Sequence, residues 1–209
     1  MPREQRRAQL IDVALDVFAE RSFAQTTMDE IAHRAAVSKP VLYQHFKNKR
    51  ALYFSLIDQQ LDALRDRITT AMQTVDPTAA TADEDTAYQA VRGIFEFTSD
   101  PRGLYRLILD TSMKHPEEVE ARKEQFVTEL VELISPYILD NSILDAAASK
   151  FITRGIASAV MVLAMHWAEE FRNNNAAHST MTLEAAVNHT CRLVAHGAIG
   201  FDLANNPSA

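Results

Sequence analysis

The sequence predicts an all-α protein of about nine helices, a short three-helix head followed by a longer helical body. Three observations lead there. Glycine (5) and proline (7) are scarce among 209 residues that are 47% hydrophobic, and the good helix formers Ala, Leu and Glu are common. Apolar residues recur at three- and four-residue spacing, and no alternating β-branched run is bounded by turn signals. The first fifty residues break into three short helical segments instead of one long one.

The first helix spans about Pro2 to Arg21, with Ile11, Ala14, Leu15 and Phe18 at helical spacing. "SFAQT" ends it. Thr27 stands three residues before Glu30, a capping box in which each side chain satisfies an orphan backbone N–H, so a short helix runs from about Met28 to Ala35. In "VSKPVLYQHF" a proline sits in a first turn, where its missing N–H has no intrahelical acceptor. The cap is Ser38 or Lys39, and the sequence leaves both open. This third helix ends near Phe46. Asn48 caps a fourth, roughly Lys49 to Val75, with Leu52, Leu56, Leu61, Leu64 and Ile68 inward. "TVDPTAATADED" reads as a linker. Helices follow at about Asp85–Thr98, Arg102–Lys114, Glu117–Leu139, Ser142–Asn173 and Leu183–Leu203, broken at "SDPRG", "HPEE", "SPYILDNS" and "NNNAAHST".

Composition narrows the function. One cysteine, Cys191, excludes an intrachain disulfide and fits a reducing cytoplasm. No apolar run is expected to reach the roughly 18 residues of a membrane span, and the N-terminus lacks a signal-peptide pattern. The net charge is −7, but it is uneven. Residues 1–50 hold nine Lys and Arg against six Asp and Glu, a net +3, and the remainder is −10. A basic head on an acidic body suits a DNA-binding head joined to a soluble body.

The second and third helices, joined by the tight turn Ala36–Val37–Ser38, form a helix-turn-helix. Ile31, Ala32, Ala35, Val37, Leu42 and Phe46 lock the pair, and Pro40, Tyr43, Gln44 and Lys47 share the free face of the third helix. An α-helix fits the DNA major groove and points its N-terminal residues at base edges. Pro40 stiffens the start and offers an apolar surface to a thymine methyl. Gln44 can bond adenine through two hydrogen bonds, and Lys39 can reach guanine. Tyr43, His45 and Lys49 suit phosphate oxygens, which set register. Thr27 and Ser38 cap helix starts that can face phosphates. With Val41 these residues make up the expected DNA-binding set, and Arg3, Arg6 and Arg7 form a basic arm beside it. Ordinary solvated residues on a helical hairpin would look similar.

"TTMDEIAHRAAVSKPVLYQHFKNKRALY" resembles the DNA-binding region of the TetR family of bacterial one-component regulators, over about Gln9 to Phe54. The resemblance rests on the T-x-x-E-I-A start, the A-x-V-S turn, the L-Y-x-H-F helix and the K-x-x-L that follows. Ala36 departs from it, since the family usually has glycine there. More weakly, "PREQRRAQL", "VSKPVLYQHF" and "DPRGLYRLI" resemble actinobacterial regulators of fatty-acid synthesis that sense long-chain acyl-CoA. The resemblance implies a helix-turn-helix domain at 1–47 and a ligand-binding and dimerisation domain at 48–209. It implies a cytoplasmic homodimeric repressor of a near-palindromic double-stranded DNA operator, with an acyl-CoA or another small apolar effector.

In the body, "KFITRGIASAVMVLAMHWAEEF" is apolar on nearly every face and should be buried all round. The last helix carries Leu183, Val187, Cys191, Val194, Ala198 and Phe201 along one stripe, with small Ala195, Gly197 and Gly200 permitting close approach. These two helices are the expected dimer interface, a four-helix arrangement across a two-fold. Phe95, Tyr105, Leu109, Met113, Met161, Met165, Trp167 and Phe171 are the expected effector-binding side chains, though such stripes also make plain core. Arg102, Arg106, Lys114, Arg122 and Lys123 are candidate cations for an effector's phosphates. Glu30-x-x-His33 has metal-ligand spacing but no matching second motif, and no nucleotide-binding or hydrolase signature occurs. No cofactor, metal, catalytic site or membrane contact is expected. A helical interaction module or a helical enzyme without DNA binding is the alternative.

Overall fold

The computed structural model of the chain describes residues 2–76, 78, 82–100, 102, 105–109, 117–139, 144–173 and 181–199. Among them lie nine helices and no strand: α1 (Arg3–Glu20), α2 (Met28–Arg34), α3 (Lys39–His45), α4 (Lys49–Gln73), α5 (Ala82–Thr98), α6 (Tyr105–Leu109), α7 (Glu117–Leu139), α8 (Ala146–Asn173) and α9 (Leu183–Ile199). The expected extensions of α6 to Lys114 and of α9 to Leu203 lie outside the described residues. α8 begins later than Ser142, because the Asp145 carboxylate accepts the Ala148 N–H at 2.8 Å and caps it there. α7 has the expected bounds, Glu117–Leu139, and includes Pro136.

Two compact units make up the chain. The first holds Met1–Ala63 and Asp100–Lys123, the second Leu64–Ser99 and Glu124–Ala209. The first unit thus reaches past residue 47, taking in the start of α4, all of α6 and the first turns of α7.

The core of the first unit follows from the apolar faces of α1 to α4. Leu10, Ala14, Val17, Ile31, Leu42, Leu52, Tyr53, Leu56 and Ile57 are fully enclosed. Phe18 and Phe23 each meet the Tyr53 ring edge-on, at 4.9 and 5.0 Å between centroids, an arrangement that the ring quadrupole favours. The buried Tyr53 hydroxyl donates to the Leu107 carbonyl at 2.6 Å, which ties α6 to α4. Around the rim, Arg50 pairs with Glu118, Arg122 with Asp58 at 2.7 Å, and Arg102 with Asp100, Asp12 and Asp16.

The second unit is built on α5, α8 and α9, which pack on one another. Phe95 and Trp167 meet at 5.8 Å between ring centroids, and the Thr98 hydroxyl lies within bonding distance of the carbonyls of Phe95 and Ala164. One sequence expectation needs correction here. Over Ala146–Glu170, α8 is long and apolar enough to cross a membrane by length and composition, with a mean hydropathy of 1.4. Arg154 interrupts the run without lowering its average much. Within a single chain one side of α8, the helix expected at a dimer interface, is bare: Phe151 is 77% exposed, and Val162 and Leu163 also face outward. α5 and α9 cover one side of α8 and leave the other bare.

The turn between α2 and α3 is a Schellman motif. The Val37 N–H bonds the Ala32 carbonyl at 3.0 Å and the Ala36 N–H bonds the His33 carbonyl at 3.1 Å, the paired pattern that closes a helix through one left-handed residue. That residue is Ala36, at φ 51°. A Cβ in this region costs about 1–2 kcal/mol, whereas glycine adopts it freely. Ala36 is exposed, so its methyl gives little packing in return. Ala36→Gly is expected to raise stability by about 0.5–1 kcal/mol after glycine's larger unfolded-state entropy is counted. A lower denaturation midpoint for the glycine variant would contradict the strain.

Candidate nucleic-acid interface

The helix-turn-helix is held from behind. Leu42 is fully buried, Phe46 and Ala35 nearly so, and Ile31 and Ala32 meet them from α2. Val37, expected among these, is only half-buried, because the Schellman turn carries it to the edge. The Thr27 hydroxyl accepts the Glu30 N–H at 3.2 Å, which forms one half of the capping box, and the Glu30 carboxylate is engaged by Arg21 at 3.3 Å. Ser38 is the N-cap residue of α3, resolving the choice between it and Lys39, but its hydroxyl makes no capping bond.

The outer face of α3 is open. Pro40, Gln44 and Lys47 are exposed and Tyr43 is 42% exposed, while Val41 and His45 are half-buried at its margins. Thr27, Ser38 and Lys39 are exposed as well, so the helix starts carry accessible polar groups. Seven expected DNA-binding residues, from Ser38 to His45, thus sit on or beside one short helix.

Lys49 is placed differently. Its ammonium donates to the carbonyls of Phe23 and Thr26 at 2.7 and 2.8 Å and lies 4.3 Å from the Phe23 ring centroid. It ties the α1–α2 loop to the start of α4, whose first turn is capped by Asn48 accepting the Ala51 N–H at 2.8 Å. Partial burial holds its pKa below the ordinary lysine value. The basic arm is also less free than expected. Arg3 to Arg7 are part of α1, Arg6 bonds Gln9, and Arg7 bonds Ser55 and lies over the Phe46 ring at 5.0 Å.

Sequence reasoning missed one residue of this face. Asp29, in the first turn of α2, pairs with Lys39 at 2.7 Å. The residues are ten apart, and only the turn brings them together.

The expected effector-binding residues divide between the units. Tyr105 is buried in the first; Phe95 and Trp167 are buried and Met161 and Met165 half-buried in the second. The side chains of Leu109 and Phe171, and all of Met113, lie outside the described residues. A polar groove in the first unit, lined by Glu4, Arg7, Ser55 and Asp58 among others, includes none of them. Of the candidate cations, Arg102, Arg122 and Lys123 are paired with carboxylates, Arg106 is exposed beside the Tyr105 ring, and Lys114 lies outside the described residues.

The family described as "Bacterial regulatory proteins, tetR family" matches residues 10–56. The HTH-type transcriptional activator FasR of Mycolicibacterium smegmatis is 32% identical over 167 residues, which cover 80% of this chain and 74% of FasR. The chain belongs to the TetR family. It is accordingly a transcriptional regulator and not an enzyme, and the FasR match supports the narrower subgroup resemblance as well. The TetR fold recurs in solved structures. FadR of Bacillus subtilis in complex with stearoyl-CoA aligns at a TM-score of 0.72 and 17% identity over 91% of this chain and 98% of that one. AibR in complex with isovaleryl coenzyme A and operator DNA aligns at 0.63 and 14% over 90% and 97%.

The two faces of α3 should separate in a stability measurement. Leu42→Ala is expected to cost about 2–5 kcal/mol, as for other enclosed leucines, and Gln44→Ala to stay within about 0.5 kcal/mol of the parent. Equal losses in thermal unfolding would mean that the outer face is also structural.

Proposed function

We propose that the chain is a ligand-responsive repressor that binds a near-palindromic operator as a homodimer. Residues 1–47 read DNA, and residues 48–209 bind the effector and the partner subunit. The observation that carries this reading is the division of α3 into an enclosed Leu42 side and an open Pro40–Tyr43–Gln44 side. Such a helix can enter a major groove without unfolding anything.

Dimerisation is supported by Phe151, Val162 and Leu163 on α8 and by Leu193, which is 61% exposed, on α9. Large apolar side chains left bare on adjacent helices are costly in water and characteristic of an interface. A two-fold joining these helices would bury them.

The effector reading rests on chemistry as well as on relatives. The hydroxyls of Tyr105 and Thr153 are buried without a hydrogen-bond partner among the described residues, and an unmet buried hydroxyl is destabilising unless something satisfies it. Within the second unit a ligand's polar atom would do so for Thr153, with Phe95, Met161, Met165 and Trp167 supplying apolar contact. Leu109, Met113 and Phe171 complete the proposed set. The stearoyl-CoA of FadR and the isovaleryl coenzyme A of AibR make an acyl-CoA the favoured class. Of the described candidate cations, exposed Arg106 is the readiest for its phosphates. An effector shifts the heads only by binding one arrangement more tightly than the other.

Selection from a random duplex pool tests the DNA reading. The recovered site should be an inverted repeat whose halves lie one helical turn apart, about 34–36 Å, or a longer arrangement of such pairs. Gln44→Ala should relax the preference for one adenine per half-site, a loss of about 1–3 kcal/mol of discrimination. A site without two-fold repeats counts against the dimer, and an unaltered preference counts against readout by Gln44.

A chain-length series of acyl-CoAs tests the effector. At a hundred times its Kd, a bound member should stabilise the fold by about 2.7 kcal/mol and raise the melting temperature. No shift with any member would remove the lipid reading and leave DNA binding standing.

A further inference from the structure

We infer that Asp29 is a positioning and specificity-determining residue of the DNA-binding face: its carboxylate holds the Lys39 ammonium away from phosphates and releases it only to a matching base. The inference rests on the DNA-binding reading above and deepens it.

Asp29 lies on α2 and Lys39 is the first residue of α3, so the 2.7 Å pair spans the turn. Among the ion pairs described in the head, Arg34–Glu20 and Arg21–Glu30 join the α1 end to α2, and Asp29–Lys39 joins α2 to α3. Both partners are largely exposed, 68% and 55% at the side chain. The hydrogen bond to Asp29, and its charge second, raise the Lys39 pKa, so the ammonium stays charged.

Exposure is what makes the pair a gate and not a brace. A solvated ion pair contributes little to stability and exchanges readily. If Lys39 leaves for a phosphate, it uncovers an anion beside a polyanion. The exchange delivers one positive charge and exposes one negative charge, so generic DNA gains almost nothing from Lys39. A guanine edge offers the ammonium directed acceptors in the groove, which offset the lost partner. Specificity is a difference of affinities, and a built-in cost against wrong sequences widens it. Phosphate contacts by Tyr43 and the helix starts are untouched by this exchange.

The test uses the full chain and two probes, a random-sequence duplex and the duplex recovered by selection with the parent protein. Asp29→Asn keeps the side-chain volume at an exposed position, and a thermal melt verifies folding. Between ~50 and ~200 mM salt, Asp29→Asn should bind the random duplex roughly three- to tenfold more tightly, with a salt slope steeper by about 0.9, the signature of one added phosphate contact. Affinity for the selected duplex should change less, so the ratio between probes narrows. In Asp29→Asn/Lys39→Gln the gain should vanish, because the released ammonium is its source. An unchanged slope in the single variant, or a gain that persists in the double, overturns the proposal; the second outcome would make Asp29 a simple repulsive charge. A parent protein that binds neither duplex removes the DNA-binding reading itself, which is a different failure.

Discussion

An α-helix of seven residues does not hold its shape in water, because too few hydrogen bonds follow its costly first turn. α3 exists only because it packs on α2, with Leu42 and Phe46 buried on one side of the turn and Ile31, Ala32 and Ala35 on the other. That contact is the constraint from which the functional reading descends. With the inner side chains enclosed, the outer ones must point to solvent, and Pro40, Tyr43 and Gln44 do. The Schellman turn sets the angle between the two helices. It does so with alanine in a left-handed conformation that glycine would accept more cheaply.

Charge in the head is mostly spoken for. Arg34, Arg21 and Lys39 meet carboxylates, Lys49 meets two carbonyls, and Arg7 meets a serine and an aromatic ring. These contacts leave the net +3 over fifty residues unchanged, but they tie most of its cations to partners within the protein. Such a head depends on geometry and on exchangeable partners more than on bulk attraction, which suits discrimination among sequences. The same unit secures α4 and α6 to each other through the Tyr53 hydroxyl and the Leu107 carbonyl, and α4 to α7 through Arg50–Glu118 and Asp58–Arg122. A displacement of α6 or of the first turns of α7 would therefore act directly on α4, and α4 begins where the head ends.

The second unit shows the complementary pattern, with apolar residues outside and an unmet hydroxyl inside. Phe151 and Leu193 are exposed, while the Thr153 hydroxyl is enclosed without a partner among the described residues. Each is unfavourable for an isolated chain and natural for a subunit that meets a second copy and a ligand. The apolar character that lets α8 pass for a membrane span is the same character that leaves it a sticky face once α5 and α9 have covered the other side.

The helices, their caps and the enclosed side of α3 were legible in the sequence, because each depends on neighbours three or four positions away. Thr27 and Asn48 cap where local chemistry says they should, and Leu42 turns inward by spacing alone. The TetR motif was legible for the same reason, since it is a local pattern. Tertiary structure decided the rest. Lys49 turned from an expected phosphate contact into a strut because carbonyls 23 and 26 positions earlier came within its reach. Lys39 acquired Asp29, the compact unit around the head recruited α6, and one side of α8 stayed bare. Periodicity tells which side of a helix prefers burial; it does not say which distant segment arrives to bury it, or which charge an arriving segment brings.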